Sequence, residues 1–186
     1  MNTSKWTEQI DATTLAFKRE FGELTADKLN WKVNASAWSI AQCIDHLIVV
    51  SGTYFPVIDR LRQGINDIPW TGKVGFITGF FGSLLLKSVL PETRRKMKTL
   101  PLWEPSMSTI EGDIVLRFES SQRELKKNIE TCSAFLDQGT VISSPANRMI
   151  VYKLETAFDI LVAHEKRHLE QAGEVLKFLS ALVLKC

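Results

Sequence analysis

The sequence predicts an all-α fold, a four-helix bundle with a long, partly helical crossover between the second and third helices. Three observations predict it. Apolar residues recur at helical spacing through four long blocks. Capping-box patterns mark the starts of two of those blocks, and the runs able to form strands are short and few. The chain has 186 residues, 45% hydrophobic and 24% charged, enough to bury a real core and short for two. A single domain is therefore expected over residues 1–186.

The first block runs from about Ser4 to Leu24, where Ile10, Thr14, Phe17, Phe21 and Leu24 share one face. The second starts at Ser39, an N-cap with Gln42 three positions on. It carries Ile40, Ile44, Leu47, Val50, Tyr54, Val57 and Leu61 and stops at Gly64, a good residue just past a helix end. Pro56 lies inside this block and predicts a kink or break near Gly52–Tyr54. The third block opens at Ser108, with Glu111 completing a second capping-box pattern. It continues through Leu116, Leu125 and Ile129 to about Leu136. The fourth begins after Pro145 and runs to about Leu179 or beyond.

Between the second and third blocks lies Ile65 to Met107, too long for a structureless loop. Its apolar half (Phe76, Ile77, Phe80, Phe81, Leu84, Leu85, Leu86) predicts a short helix packed across the bundle. Arg94, Arg95, Lys96 and Lys98 follow and read as a solvated basic face. Residues 140–142 and 149–152 contain β-branched side chains, but neither run outweighs the helices around it. No internal repeat, low-complexity tract or Ser/Gly linker divides the chain.

Composition excludes several classes of function. Lys and Arg (23) nearly cancel Asp and Glu (21), a net charge of +2, so neither nucleic acid nor an anionic membrane is expected as a partner. The longest mainly apolar run, Phe76 to Leu90, is too short to span a bilayer and holds Lys87. Residues 1–20 lack the continuous apolar stretch of a signal peptide. Cys43, Cys132 and Cys186 are odd in number and widely spread, which is no disulfide framework, and a cytoplasmic location follows as the expectation. Gly72, Gly75, Gly79 and Gly82 match no nucleotide-binding fingerprint, and Ser or Cys nucleophile motifs are absent.

Chemistry points instead to the histidines, of which the chain has three: His46, His164 and His168. His164 and His168 stand four apart in the longest helical block, so both rings project from one helix face. Such a pair can reach one ion at about 2.0–2.1 Å. His46 sits mid-way along the second block, on the side that carries Ser39, Cys43 and Thr53. If the two helices face each other, His46 meets the pair, and facing helices are where bundles build metal sites. Three imidazoles leave at least one coordination position for water, the mark of a catalytic rather than a closed structural centre. Spacing alone leaves a second reading open, in which each histidine is a hydrogen-bonded core or surface residue.

The string His164-Glu165-Lys166-Arg167-His168 also matches H-E-x-x-H, in which zinc proteases use Glu as general base. Two features argue against proteolysis. The third ligand of such sites normally follows the motif, and neither Glu170 nor Glu174 has the usual spacing. No convincing sheet offers an edge to a peptide. Glu165 points about 100° away from His164 on a helix and reads as solvated beside Lys166 and Arg167.

Two stretches resemble the DinB-like superfamily: Trp38-Ser39-Ile40-Ala41-Gln42-Cys43-Ile44-Asp45-His46-Leu47 and His164-Glu165-Lys166-Arg167-His168-Leu169-Glu170-Gln171-Ala172. Within it, the chain is most similar to the branch with the YfiT-type proteins and bacillithiol transferases. The resemblance covers nearly the whole chain: the first helix, the W-S-x-x-[EQ]-x-x-x-H-L start of the second, the crossover and the final H-x-x-x-H-x-x-Q helix. This combination is much more specific than H-E-x-x-H alone.

The resemblance implies a four-helix bundle in which His46, His164 and His168 bind a divalent metal, with zinc or nickel foremost. For characterised relatives it also implies metal-assisted transfer of a low-molecular-weight thiol, or a related thiol-dependent reaction, on a small-molecule substrate. Homodimers are common in the family. The metal would lower the pKa of a bound thiol or water and yield a nucleophile near neutral pH. Gln171 can orient a ligand or serve as a structural Gln, and Cys43 reads as a small buried hydrophobe. Asp45 leaves the helix about 100° from His46, a weak supporting role at best. Trp38 and Tyr54 fit either a substrate cavity or ordinary core. The competing expectation is a non-catalytic structural or partner-binding bundle, with residues 76–90 and 178–184 as interface.

Overall fold

The apolar periodicity resolves into four long helices with shorter elements between them. A computed structural model describes residues 2–91 and 99–183. The helices are α1 (Ser4–Phe21), α2 (Ala26–Asn30), α3 (Ile40–Arg62), α4 (Gly75–Val89), α5 (Ile114–Glu130), α6 (Ser133–Asp137) and α7 (Leu154–Val183). Two strands, β1 (Val141–Ser144) and β2 (Asn147–Lys153), precede α7. Among the described residues the fold is therefore mainly helical with one small sheet. The basic cluster Arg94, Arg95, Lys96 and Lys98, like Cys186, lies outside the described residues.

Helix α3 begins as its sequence dictates. Ser39 Oγ accepts from the Gln42 backbone N–H at 3.1 Å, and Gln42 Oε1 accepts from the Ser39 N–H at 3.3 Å, a complete capping box. At its other end Gly64 takes φ +75°, the left-handed conformation that releases a chain from a helix. Pro56 produces no break: α3 continues from Ile40 to Arg62. The proline is exposed, and Gly52, four residues back where the ring crowds the preceding turn, has open space beside it. By length and composition α3 is apolar enough to cross a bilayer, but 61% of its most apolar window is buried against the other helices. That is the signature of a core helix.

Helix α3 packs against α5 and α7, and α1 packs against the same two. The apolar core divides into two clusters. One gathers Trp6, Ile10, Tyr54, Ile58, Leu125, Ile129, Phe158 and Leu161, and the other Phe17, Phe21, Ile40, Ile44, Phe118, Ala172 and Val175. Each of the four long helices contributes to both. Between its two contributions each carries a buried polar residue: Thr13 on α1, His46 on α3, Gln122 on α5, Glu165 and His168 on α7. A polar layer thus crosses the interior at mid-height. On α1 Thr13 is buried and Thr14 only half-buried, one position from the expected face.

The third block and the strands also depart from expectation. The third block does not start at Ser108: α5 begins at Ile114, and no side chain caps it. After a 3-10 turn at Pro101–Trp103, residues 104–110 are irregular and tied to the neighbouring elements. Asn30 donates to the Ile110 carbonyl at 2.7 Å and accepts its N–H at 2.8 Å, while Gln42 donates to the Met107 carbonyl at 3.3 Å. The same block ends early, at Glu130, and α6 follows as a separate turn; Leu116, placed on its apolar series, is 65% exposed. Finally, the weak β-branched runs do form a hairpin, which departs from an all-α fold. It pairs Ile142 with Tyr152 and Ser143 with Val151, antiparallel, with an irregularity after Ser143. Ile142, Val151 and Tyr152 are fully buried, so packing sustains strands that are short on their own.

The crossover helix α4 forms where the apolar run predicts and packs on α7 and β2. It is reversed in polarity from an ordinary surface helix. Its buried residues are Thr78 and Gly82, while Phe76, Phe80 and Leu84 are 83%, 55% and 54% exposed. Gly82 marks a close approach: a Cβ there would stand 3.0 Å from Thr156 Cγ2 and 3.4 Å from Tyr152 Cβ, so those side chains would have to give by a few tenths of an ångström.

Candidate metal centre

His46 from α3 and the His164/His168 pair from α7 meet in the polar layer. His46 Nε2 lies 3.3 Å from His164 Nε2, and His168 Nε2 lies 2.9 Å from the same atom. One ligand atom from each of the three falls within 4.8 Å of the others. Two nitrogens on one tetrahedral ion at about 2.0–2.1 Å are separated by about 3.3–3.4 Å. The His46–His164 separation has that value, and the His164–His168 pair needs to open by about half an ångström. The donor set is chemically suited to zinc or nickel, both of which accept imidazole.

The rings are held in their ligand form. Burial pushes the His46 pKa down, against the opposing pull of the Trp103 carbonyl and Asp45. Burial, then His46 and Arg167, bring His164 down to about 3, although part of its surface remains accessible. Burial, then His164, His46 and Arg167, hold His168 well below the ordinary value, with Gln171 pulling weakly the other way. All three imidazoles are therefore neutral at neutral pH, the state that coordinates a metal. His168 Nδ1 is buried without a hydrogen-bond partner among the described residues.

A family model described as the DinB superfamily matches residues 9–172, a span that contains all three histidines. The chain belongs to the DinB superfamily. No curated protein and no solved structure matches it. Membership of the DinB superfamily and the three-histidine cluster are both compatible with metal binding.

Around the cluster of this DinB-superfamily chain, the remaining candidates separate. Trp38, half-buried, stacks on His168 with ring centroids 5.8 Å apart and also touches His46 at 4.9 Å. It belongs to the site. Tyr54 does not: its hydroxyl pairs with that of Tyr152 at 2.8 Å inside the core. Cys43 is fully buried in the apolar cluster, and burial pushes its thiol up to about 12, so it is inert packing. Gln171 lies on the turn after His168 and acts on that ring only weakly.

Glu165 overturns its expectation most clearly. It is 1% exposed rather than solvated, and its Oε1 accepts from Gln122 Nε2 at 2.8 Å. Burial raises its pKa to about 8, against that hydrogen bond, so it is mostly protonated at neutral pH. Of its neighbours in the motif, Lys166 is exposed and Arg167 donates to the Ser88 carbonyl at the end of α4, at 2.5 Å.

Sequence reasoning missed Trp103 and Ser106. The Trp103 carbonyl meets His46 Nδ1, and Ser106 binds Asp45 through both its N–H (2.7 Å) and its hydroxyl (2.8 Å). Trp103 ends a single 3-10 turn (Pro101–Trp103) and Ser106 lies in irregular chain, and neither gives periodicity a signal. The Trp at 103 was the only hint available.

Proposed function

We propose that this chain binds a divalent metal through His46, His164 and His168 and acts on small molecules as a metal-dependent thiol S-transferase or a related hydrolase. One observation carries this reading: three neutral imidazoles from two helices converge with Nε2 separations of 3.3 and 2.9 Å. When bound, the ion supplies Lewis acidity at an open position, enough to bring a thiol or water ligand to its anionic form near neutral pH. The chain's residues do the rest. Trp38 covers the His46/His168 side of the cluster, and the positive charge of Arg167 near His164 and His168 favours an anionic group beside them. Zinc or nickel and a low-molecular-weight thiol are the cofactors we infer.

The reading includes a single four-helix-bundle domain over residues 1–186, with α1, α3, α5 and α7 as its long helices, working in the cytoplasm without a nucleic-acid or membrane partner. Self-association is supported by α4. Phe76, Phe80 and Leu84 form an exposed stripe at four-residue spacing, and no charged residue interrupts Val74 to Leu86. The same stripe favours the second reading, a bundle whose role is to bind a protein partner.

The deciding experiment is metal content by inductively coupled plasma mass spectrometry, on tag-free wild type and the three His→Ala variants. About one ion per chain in wild type, lost in each variant while helical circular dichroism persists, supports the proposal. Wild type that stays metal-free after incubation with zinc and nickel refutes it.

A further inference from the structure

Four residues of α3 grip the segment 103–107 along its length. Gln42 Nε2 donates to the Met107 carbonyl at 3.3 Å, and Asp45 Oδ2 accepts from the Ser106 N–H and hydroxyl at 2.7 and 2.8 Å. His46 Nδ1 meets the Trp103 carbonyl, and Thr53 Oγ1 accepts from Trp103 Nε1 at 3.2 Å. As α3 advances from 42 to 53, about 16 Å of rise, the segment is contacted in reverse order, so it runs back along the helix as a strap.

The strap's chemical consequence falls on His46. A carbonyl only accepts, so the Trp103 oxygen requires the imidazole proton on Nδ1. The lone pair is then left on Nε2, the atom that faces His164. Asp45 never touches the ring through this contact. It is 1% exposed, has the Arg117 guanidinium 3.6 Å from Oδ1, and commits Oδ2 to both donors of one serine, three residues from Trp103. A buried carboxylate is costly to place, and here its hydrogen bonds go to fixing a loop. Thr53 fixes the other end through the indole. Between these two anchors, the position of the Trp103 carbonyl is determined.

We propose that Asp45 and Thr53 are positioning residues for His46, which pin the 103–107 strap so that the Trp103 carbonyl selects the Nδ1–H tautomer and tunes the affinity of the three-histidine cluster for a divalent metal. The effect on affinity rests on the metal-binding reading above; the effect on the tautomer does not.

The test uses Asp45→Asn and Thr53→Val, close in shape to the native residues, with Glu104→Gln as an exposed control on the same strap. Zinc affinity is measured by competition with a chromogenic chelator, and His46 tautomers by long-range proton–nitrogen spectra of the metal-free proteins. The expected result is Nδ1–H in wild type, a tautomer mixture in D45N and T53V, and zinc bound about tenfold more weakly by both variants. The control matches wild type in both readouts. Unchanged affinity and a pure Nδ1–H ring in both variants overturn the inference. If wild type binds no zinc, the metal reading fails, and the tautomer comparison alone decides the positioning role. Should D45N not fold, T53V still decides.

Discussion

Gln122 Nε2 donates to Glu165 Oε1 at 2.8 Å, a bond between α5 and α7 through the polar layer. Both side chains are buried, and Gln122 Oε1 and Glu165 Oε2 lack partners among the described residues. The carboxyl therefore keeps its proton to about pH 8 in the folded chain, against an ordinary value of 4.5. Across that window the unfolded chain binds fewer protons, so stability falls as pH rises from 4.5 to 8. His164 works in the opposite sense: with its pKa at about 3 instead of 6.5, it costs stability as pH falls below 6.5. Above 6.5 only the Glu165 effect remains of these two. Urea titrations of metal-free wild type should show stability declining from pH 6.5 to 8, by up to about 1.4 kcal/mol per pH unit. Glu165→Gln should be flat over the same range; parallel curves would show that another group titrates.

Cys43 and Cys132 are buried, with thiols pushed up by burial to about 12 and about 11. In a Cys186→Ser background neither should react with a thiol-exchange reagent until the protein is unfolded in guanidinium. Rapid labelling of Cys43 in the native state would instead mark the apolar cluster as an opening pocket.

Gly82 lets α4 lie flat on α7 and β2. Gly82→Val should cost about 1–3 kcal/mol, because its methyls meet Thr156 and Tyr152. Chemical denaturation measures the loss. A neutral result would mean that α4 is free to shift on its bed.

Pro56 removes one hydrogen bond from the middle of α3. Because it is exposed and its replacement meets no packing constraint, Pro56→Ala should stabilise the fold by about 1–3 kcal/mol. A lower thermal midpoint in the variant would show that the proline is needed for the course of the helix.

Both ends of α3 are legible because Ser39, Gln42 and Gly64 act within a turn of their own positions, whereas the break expected at Pro56 does not form. The histidine cluster was legible for a related reason: a four-residue spacing places two rings on one face wherever the helix goes. Ser108 and Glu111 carry the same local signal as Ser39 and Gln42, yet long-range bonds from Asn30 and Gln42 overrule it. The hairpin was hidden because Ile142 and Tyr152 gain their stability from burial against helices elsewhere in the chain. Glu165 was misread because its partner, Gln122, lies 43 residues away, and no local pattern distinguishes a solvated carboxylate from a buried acid.

His46 and His164 are separated by 118 residues of chain, and His168 follows on the same helix as His164. An ion held by all three would join the two ends of a loop that makes up most of the molecule. Its binding energy would then be folding energy, about 4 kcal/mol when free metal exceeds the dissociation constant a thousandfold. Such a clasp would make the protein's own persistence a gauge of its supply: in a metal-starved compartment the chain would be easier to unfold and to degrade, and replenishment would restabilise the chains that remain.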